Sequence, residues 1–297
     1  MYRAEKQARE FSKTIKDKDL YPICIPSYNR PNAIGIRKLY ENTPELNVIL
    51  FVRKEEYKEY EKYSDKFKIV KLKNVSNIGE TRAAIVRYCW AKGIDNIFMF
   101  DDDIHLLDFM QPSVTKNGNP SMRCHSTCSG KPYKINKYAL KLWQGLIENV
   151  LEPVAMSAAA DRSEYWNIRY KDSPYVYNQG YCIRCIHLNT GMLKEHHLNY
   201  QSNDIVGVED YALQYSILES GLRTMLIKDL AYGCNAVGKG MGGNQYSSDL
   251  NKEFSDRNKL FIQNILGGAL TEKVTLRTTK SGFQSLKFNW RYWREEV

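Results

Sequence analysis

The sequence has no run approaching the ~18 consecutive apolar residues that read as a membrane-spanning helix, so none is expected. The stretch from Met1 to Leu20 is dense in charge of both signs and lacks an apolar segment, which argues against an ordinary secretory signal. There is no internal repeat and no low-complexity tract. The helix start from Asn77 to Arg82 is neither a GxGxxG fingerprint nor a P-loop, so a Rossmann dehydrogenase or an ATPase of that type is not supported. Histidine is scarce, with 5 in the chain, and the last is His197. Membrane-spanning, secreted and disordered classes are therefore disfavoured, and a cytoplasmic location is expected. What remains is a 297-residue chain long enough to bury a sizeable core without staples.

The charge balance is basic. Lys and Arg number 43 against 34 Asp and Glu, a formal net charge of +9. Such a balance favours polyanionic partners such as nucleic acid, nucleotides or an anionic membrane surface. The 7 cysteines are an odd count and fit reduced thiols. Cys124 and Cys128 with Cys182 and Cys185 form either a shared zinc site or small buried hydrophobes. The run Tyr181 to Ile186 reads as a strand, which favours the second.

Punctuation by apolar runs organises the chain. A polar helical lead-in extends to about Asp19. Strands are expected at Tyr21 to Pro26, Asn47 to Val52, Phe67 to Leu72 and Asn96 to Phe100. Between them lie helical stretches, Ile34 to Tyr40, Lys54 to Tyr63 and Glu80 to Lys92, the last stopped by Gly93. This alternation predicts an α/β fold with a parallel sheet and helices on both faces. Residues 110–134 read as an irregular excursion. Helices follow at Asn136 to Val150, Val208 to Ser220 and Ser255 to Leu266, with strands at Pro153 to Ala160, Gly180 to Leu188 and Arg223 to Leu230. The end, Thr271 to Val297, is basic and aromatic.

The strongest chemical signal is Asp101-Asp102-Asp103 at the carboxyl end of a very apolar strand. Ligands of open α/β sheets bind there. Adjacent carboxylates repel unless a cation neutralises them, and Mg²⁺ or Mn²⁺ prefers oxygen and bridges phosphates. On an extended segment alternate residues point the same way, so Asp101 and Asp103 are the expected metal pair. The first strand runs into Pro26, Ser27, Tyr28 and Arg30, where amides can meet an anion, Tyr28 can stack on a base and Arg30 can pair with phosphate. At Asn77 and Gly79 a helix start favours anions, and Arg82 adds a fixed cation. The Gly233–Gly243 loop carries Lys239, a composition that suits phosphate or a plain flexible loop.

These pieces, in this order, resemble glycosyltransferases of the GT-A fold over roughly residues 20–235. The acidic strand end is similar to that family's DxD motif, and Val208-Glu209-Asp210-Tyr211 to its acceptor-side acidic motif. The resemblance implies a Rossmann-type sandwich around one mostly parallel sheet. It divides residues 20–268 into a nucleotide-sugar half (20–103) and an acceptor half (104–268), flanked by the lead-in (1–19) and a basic carboxyl-terminal segment (269–297). It implies sugar transfer from a nucleoside diphosphate sugar, with a UDP-sugar expected. A divalent metal would sit on Asp101 and Asp103, with Asp102 beside the donor. Asp210, ahead of Glu209, would be the base, with inversion at the anomeric carbon. The same acids also suit the first turn of a helix for dipole reasons alone. One departure stands out: no His lies downstream of Glu209 to complete a metal site, and Asn235 or water would have to substitute.

The tail pattern Gly282-Phe283…Leu286-Lys287-Phe288-Asn289-Trp290, with the basic charge, resembles the TET-associated glycosyltransferases of bacteriophages. That resemblance implies 5-hydroxymethylcytosine in double-stranded DNA as acceptor, modified in the host cytoplasm. Arg123, Lys131, Lys134, Lys287, Arg291 and Arg294 are the expected nucleic-acid contacts, by charge interleaved with aromatics. The tail aromatics also suit packing on the catalytic domain, which is what Trp and Phe more often do. A polysaccharide, glycan or small-molecule acceptor is the alternative. Further off stand a nucleotidyltransferase, whose basic loop after the first strand is missing, and a non-catalytic nucleic-acid-binding protein, whose DNA the acidic strand end would repel.

Overall fold

A computed structural model describes residues 3–43, 45–114, 118, 120–124, 134–161, 173–201, 208–234, 250–278 and 284–293. The expected α/β class is present. Among the described residues ten strands form one sheet, in the order β3-β2-β1-β4-β9-β7-β10-β5-β6 with β8 also on β10. The strands are β1 (Ile23–Ser27), β2 (Val48–Arg53), β3 (Lys68–Leu72), β4 (Asn96–Phe100), β5 (Leu106–Val114), β6 (Pro120–Cys124), β7 (Met156–Asp161), β8 (Tyr175–Tyr177), β9 (Cys185–Asn189) and β10 (Thr224–Gly233).

Strands β1 to β4 all run parallel, as buried Val/Ile/Phe runs joined by helical crossovers require. Strand β9 enters antiparallel between β4 and β7, and β10 is parallel to β7 but antiparallel to β5. These directions bring the carboxyl ends of β1, β2, β4, β7 and β10 to one edge of the sheet. The amino ends of β9 and β5 join them there. Pro26, which has no N–H to give, lies where β1 pairs with β2 but has run past its pairing with β4.

The period-two alternation sorts side chains to two faces. Ile23 and Ile25 face one cluster with α1 (Arg3–Thr14), α2 (Ile34–Asn42) and α5 (Lys137–Glu148). Cys24 faces the other with α4 (Ile78–Lys92), α6 (Thr190–Glu195) and α7 (Glu209–Glu219). Surface helix α3 (Tyr57–Tyr60) is flanked by short 3-10 turns. The lead-in helix is part of the core, since Ala4 and Ala8 are fully buried. It comes close because Gly145 leaves room: a Cβ there would meet the Phe11 ring at 2.3 Å. A third cluster joins α7 to α8 (Leu250–Asn264) and to a separate hairpin of β11 (Val274–Thr278) and β12 (Gln284–Phe288).

Two expectations change. Part of the excursion over 110–134 is regular: β5 and β6 form an antiparallel pair from Met110↔Cys124 to Val114↔Pro120. Its Pro and Ser content masked the pattern, and the mutual pairing of β5 and β6 overrides propensity. Cys182 and Cys185 are buried in clusters on opposite faces of the sheet, so they pack as small hydrophobes. Cys128 and the side chain of Cys124 lie outside the described residues.

Candidate active site

The sheet edge gathered above begins at β4. Its apolar run ends at Phe100, and the chain turns at once, closed by the Ile104 N–H donating to the Asp101 carbonyl at 3.1 Å. Asp101 to Asp103 therefore sit on a turn rather than an extended segment. The start of α2 holds that turn. The Gly35 N–H donates to the Asp102 carbonyl at 3.0 Å, and a Cβ on Gly35 would lie 2.6 Å from the carbonyls of both Asp102 and Ile104. Only glycine lets the helix in this close.

The three acids have three environments. Asp102 is buried and faces inward. The Ser27 hydroxyl donates to it at 2.7 Å, and the Arg30 guanidinium pairs with it at 2.6 Å. Burial pushes its carboxyl up to about 7, against the pull of Arg30 and Ser27. Tyr60 completes the link, with its hydroxyl 2.9 Å from Ser27 and accepting the Arg30 N–H at 3.0 Å. Asp102, Ser27 and Arg30 thus tie the first loop to the acidic turn. Asp103 is half-buried; burial and then the charge of Asp101 raise it to about 6, with Arg30 and Arg184 opposing.

Asp101 faces Arg82, which is buried on α4. The guanidinium pairs with Asp101 at 2.6 Å, Glu209 at 2.8 Å and Asp210 at 2.7 Å. One cation therefore joins the end of β4 to the start of α7. Burial first, then the charges of Glu209 and Asp101, raise Asp210 to about 7, although Arg82 and the Arg184 backbone N–H pull it down. The Tyr200 hydroxyl also donates to Asp210, at 3.2 Å. Gly79 has a neighbouring purpose: a Cβ there would sit 3.0 Å from the Gln201 carbonyl, so its absence lets the chain after Tyr200 pass close to the start of α4. Asn77 caps α4, accepting the Glu80 N–H at 2.9 Å, while the Glu80 carboxylate accepts from Ser76.

Tyr28 is exposed at the same edge, with the Arg53 guanidinium 3.8 Å above its ring. Arg53 is held by donating to the Ser76 carbonyl at 2.6 Å. Three site residues were not identifiable in the sequence. Arg53 and Arg184 are single arginines beside apolar strands, with no spacing signal. Arg184 adopts a left-handed φ of 62°, donates to the Cys234 sulfur at 3.0 Å and gives its carbonyl to the Asp101 N–H at 2.9 Å. Asp161 ends β7, and its charge reaches Tyr232 and Cys234.

Lys134, Lys287 and Arg291 are exposed. Arg123 lies on β6, its side chain outside the description. Lys131, Asn235, Lys239 and Arg294 are outside the described residues. Among the described residues no group of three or more His, Cys, Asp or Glu is arranged as a metal cage, and no helix is long and apolar enough to cross a membrane.

The sequence pattern of the family described as TET-Associated Glycosyltransferase matches residues 21–243. The chain belongs to the TET-associated glycosyltransferase family. The family match contains β1 to β10 and every site residue named so far on them; it ends before α8 and the β11–β12 hairpin. No curated protein matches the chain. Solved structures match at low identity. GalNAc-T7, crystallised with UDP, GalNAc and Mn²⁺, is 11% identical over 82% of this chain and 48% of its own, with a TM-score of 0.43. A CMP:2-keto-3-deoxy-manno-octonic acid synthetase complexed with CTP is 10% identical over 75% and 93%, TM-score 0.41. Mannose-1-phosphate geranyltransferase from Thermus thermophilus is 9% identical over 70% and 73%, TM-score 0.38. The chain thus spans about half the length of GalNAc-T7.

Proposed function

We propose that this member of the family transfers a sugar from a nucleoside diphosphate sugar, a UDP-sugar, to the hydroxymethyl group of 5-hydroxymethylcytosine in double-stranded DNA. The observation that carries the reading is the Arg82 bridge. It couples the acid of the strand-end turn, Asp101, to the acids at the start of α7, Glu209 and Asp210, within 2.6–2.8 Å. A donor-side acid and acceptor-side acids are thereby held in one cluster at the edge where ligands of such sheets bind.

Tyr28, braced by Arg53, offers its free face to the base of the nucleotide. Asp210 takes the proton of the acceptor hydroxyl, a task suited to a carboxylate raised to about 7. The hydroxyl oxygen bonds to the anomeric carbon as its bond to the diphosphate breaks, and the nucleoside diphosphate leaves with the electron pair. Attack opposite the leaving group inverts the configuration. Glu209 shares Arg82 with Asp210 and holds the guanidinium in place.

Asp101 and Asp103 fit a divalent cation by chemistry. Both present hard oxygen, and Asp103 is raised to about 6 by burial and then by the charge of Asp101, a repulsion that a cation relieves. Mg²⁺ is commonly held by one or two carboxylates together with substrate phosphates. When bound, Mn²⁺ or Mg²⁺ supplies charge neutralisation on the diphosphate.

The test is release of nucleoside diphosphate from a panel of UDP-sugars in the presence of duplex DNA. Release that requires 5-hydroxymethylcytosine, and that Asp210→Asn lowers by on the order of 10²-fold or more, supports the reading. Release stimulated equally by unmodified DNA or by none would reject this acceptor.

A further inference from the structure

The carboxyl-terminal hairpin lies beyond the family match, and the reaction described above uses none of it. Its inner side is apolar: Val274, Leu286 and Phe288 are buried against α7 and α8. Its outer side is basic. Arg277 and Lys287 are exposed on adjacent positions of β11 and β12, where Thr275 pairs with Lys287 and Arg277 with Ser285. Arg291, in the turn after β12, is exposed as well. No carboxylate pairs with any of the three among the described residues. Among the described residues the acids of this region are engaged elsewhere: Glu219 holds Lys273 at 2.8 Å, and Glu272 accepts from the Tyr292 hydroxyl.

Two further observations give this face a direction and a shape. Lys287 and Arg291 flank an open cavity of about 420 Å³, walled by Phe288, Asn289 and Trp290 with Thr275. The hairpin is also fixed beside the acceptor-side acids. The Tyr181 hydroxyl accepts the Phe288 N–H at 3.1 Å. The Tyr181 ring lies 5.2 Å from Trp290 and 4.9 Å from Tyr211, the residue after Asp210. Aromatic contacts thus run from the cavity wall to the first turn of α7.

We infer that the outer face of the hairpin is a docking surface for the phosphodiester backbone of DNA, with Arg277, Lys287 and Arg291 on phosphates and one nucleotide unit seated against Trp290. This rests on the proposed DNA acceptor and adds where the duplex is held. Unpaired cations release condensed counterions when they meet phosphates. An aromatic wall beside them accepts a sugar or base edge irrespective of sequence. Docking there presents the duplex from the α7 side of the site.

The test is binding of the full chain to unmodified duplex DNA across a salt series, which needs no sugar transfer. The Arg277→Gln/Lys287→Gln/Arg291→Gln variant is expected to flatten the plot of log affinity against log salt. Each lost phosphate contact lowers the slope by about 0.9. The single variants each remove about one such step, so the result does not depend on the triple variant folding. Arg277→Lys and Arg291→Lys keep the charge and are expected to keep the slope. An unchanged slope in all the Gln variants, or no duplex binding by the wild type, overturns the surface. Failure of the acceptor reading appears separately, as absence of product on DNA that is still bound.

Discussion

Arg82 and Asp210 lie 2.7 Å apart in a buried ion pair that links α4 to the start of α7. The same guanidinium holds Glu209 and Asp101, so one residue organises both sides of the candidate site. A buried cation facing three buried or half-buried carboxylates is costly to disturb, because each charge left behind is unpaired in a low dielectric.

Replacement of Arg82 by Ala is expected to cost about 3–5 kcal/mol of stability, the usual penalty for breaking a buried ion pair. Arg82→Lys keeps the charge but not the fork, and is expected to recover only part of the loss. Denaturant unfolding of the two variants measures this. Equal stability of Arg82→Ala and wild type would mean that the cluster does not hold α4 to α7.

The pH dependence follows from the raised acids. Asp210 and Asp102 stand at about 7 and Asp103 at about 6 in the folded chain, above the ~3.9 of an unfolded Asp. The folded state therefore binds more protons between these values, and stability falls as pH rises from about 4 through 7. Activity runs the other way, since the base must be ionised. The rate is expected to rise through about pH 7 to a plateau, with the Asp210→Asn residual rate losing that limb. A thermal-midpoint series and a pH–rate profile read the two trends separately.

At Gly35, Ala brings a Cβ within 2.6 Å of two carbonyls of the acidic turn. The expected cost is about 1–3 kcal/mol from overpacking, accompanied by a fall in kcat as the turn shifts. A stable, fully active Gly35→Ala protein would show that the turn tolerates displacement.

Arg53→Ala removes the group braced over Tyr28 and leaves the acids untouched. The donor KM is expected to rise several-fold with kcat little changed, as for lost uniform binding. A fall in kcat at constant KM would place Arg53 with the reacting atoms instead.

Much of this was legible because buried parallel strands are long apolar runs punctuated by polar turns. The strand ending at Phe100, the acids after it and the pair Glu209-Asp210 stood out for that reason. The inward turn of Asp102 was not legible, because it depends on Ser27 at the end of another strand and on Arg30 in the loop after it. The burial of Arg82 was likewise hidden, since a helical arginine beside a phosphate and one among carboxylates look alike in one dimension. Arg53 and Arg184 carry no pattern. The β11–β12 hairpin is too short for its alternation, Val274 with Leu276 and Leu286 with Phe288, to stand out from a basic tail.

The most direct measurement is the mass of the nucleosides released from duplex DNA after incubation with the protein, a UDP-sugar and Mn²⁺ or Mg²⁺. The account predicts one sugar added to 5-hydroxymethylcytosine, none to cytosine, and none with Asp210→Asn. Unmodified 5-hydroxymethylcytosine across the whole donor panel, from protein that binds the DNA and cleaves a donor, would contradict it.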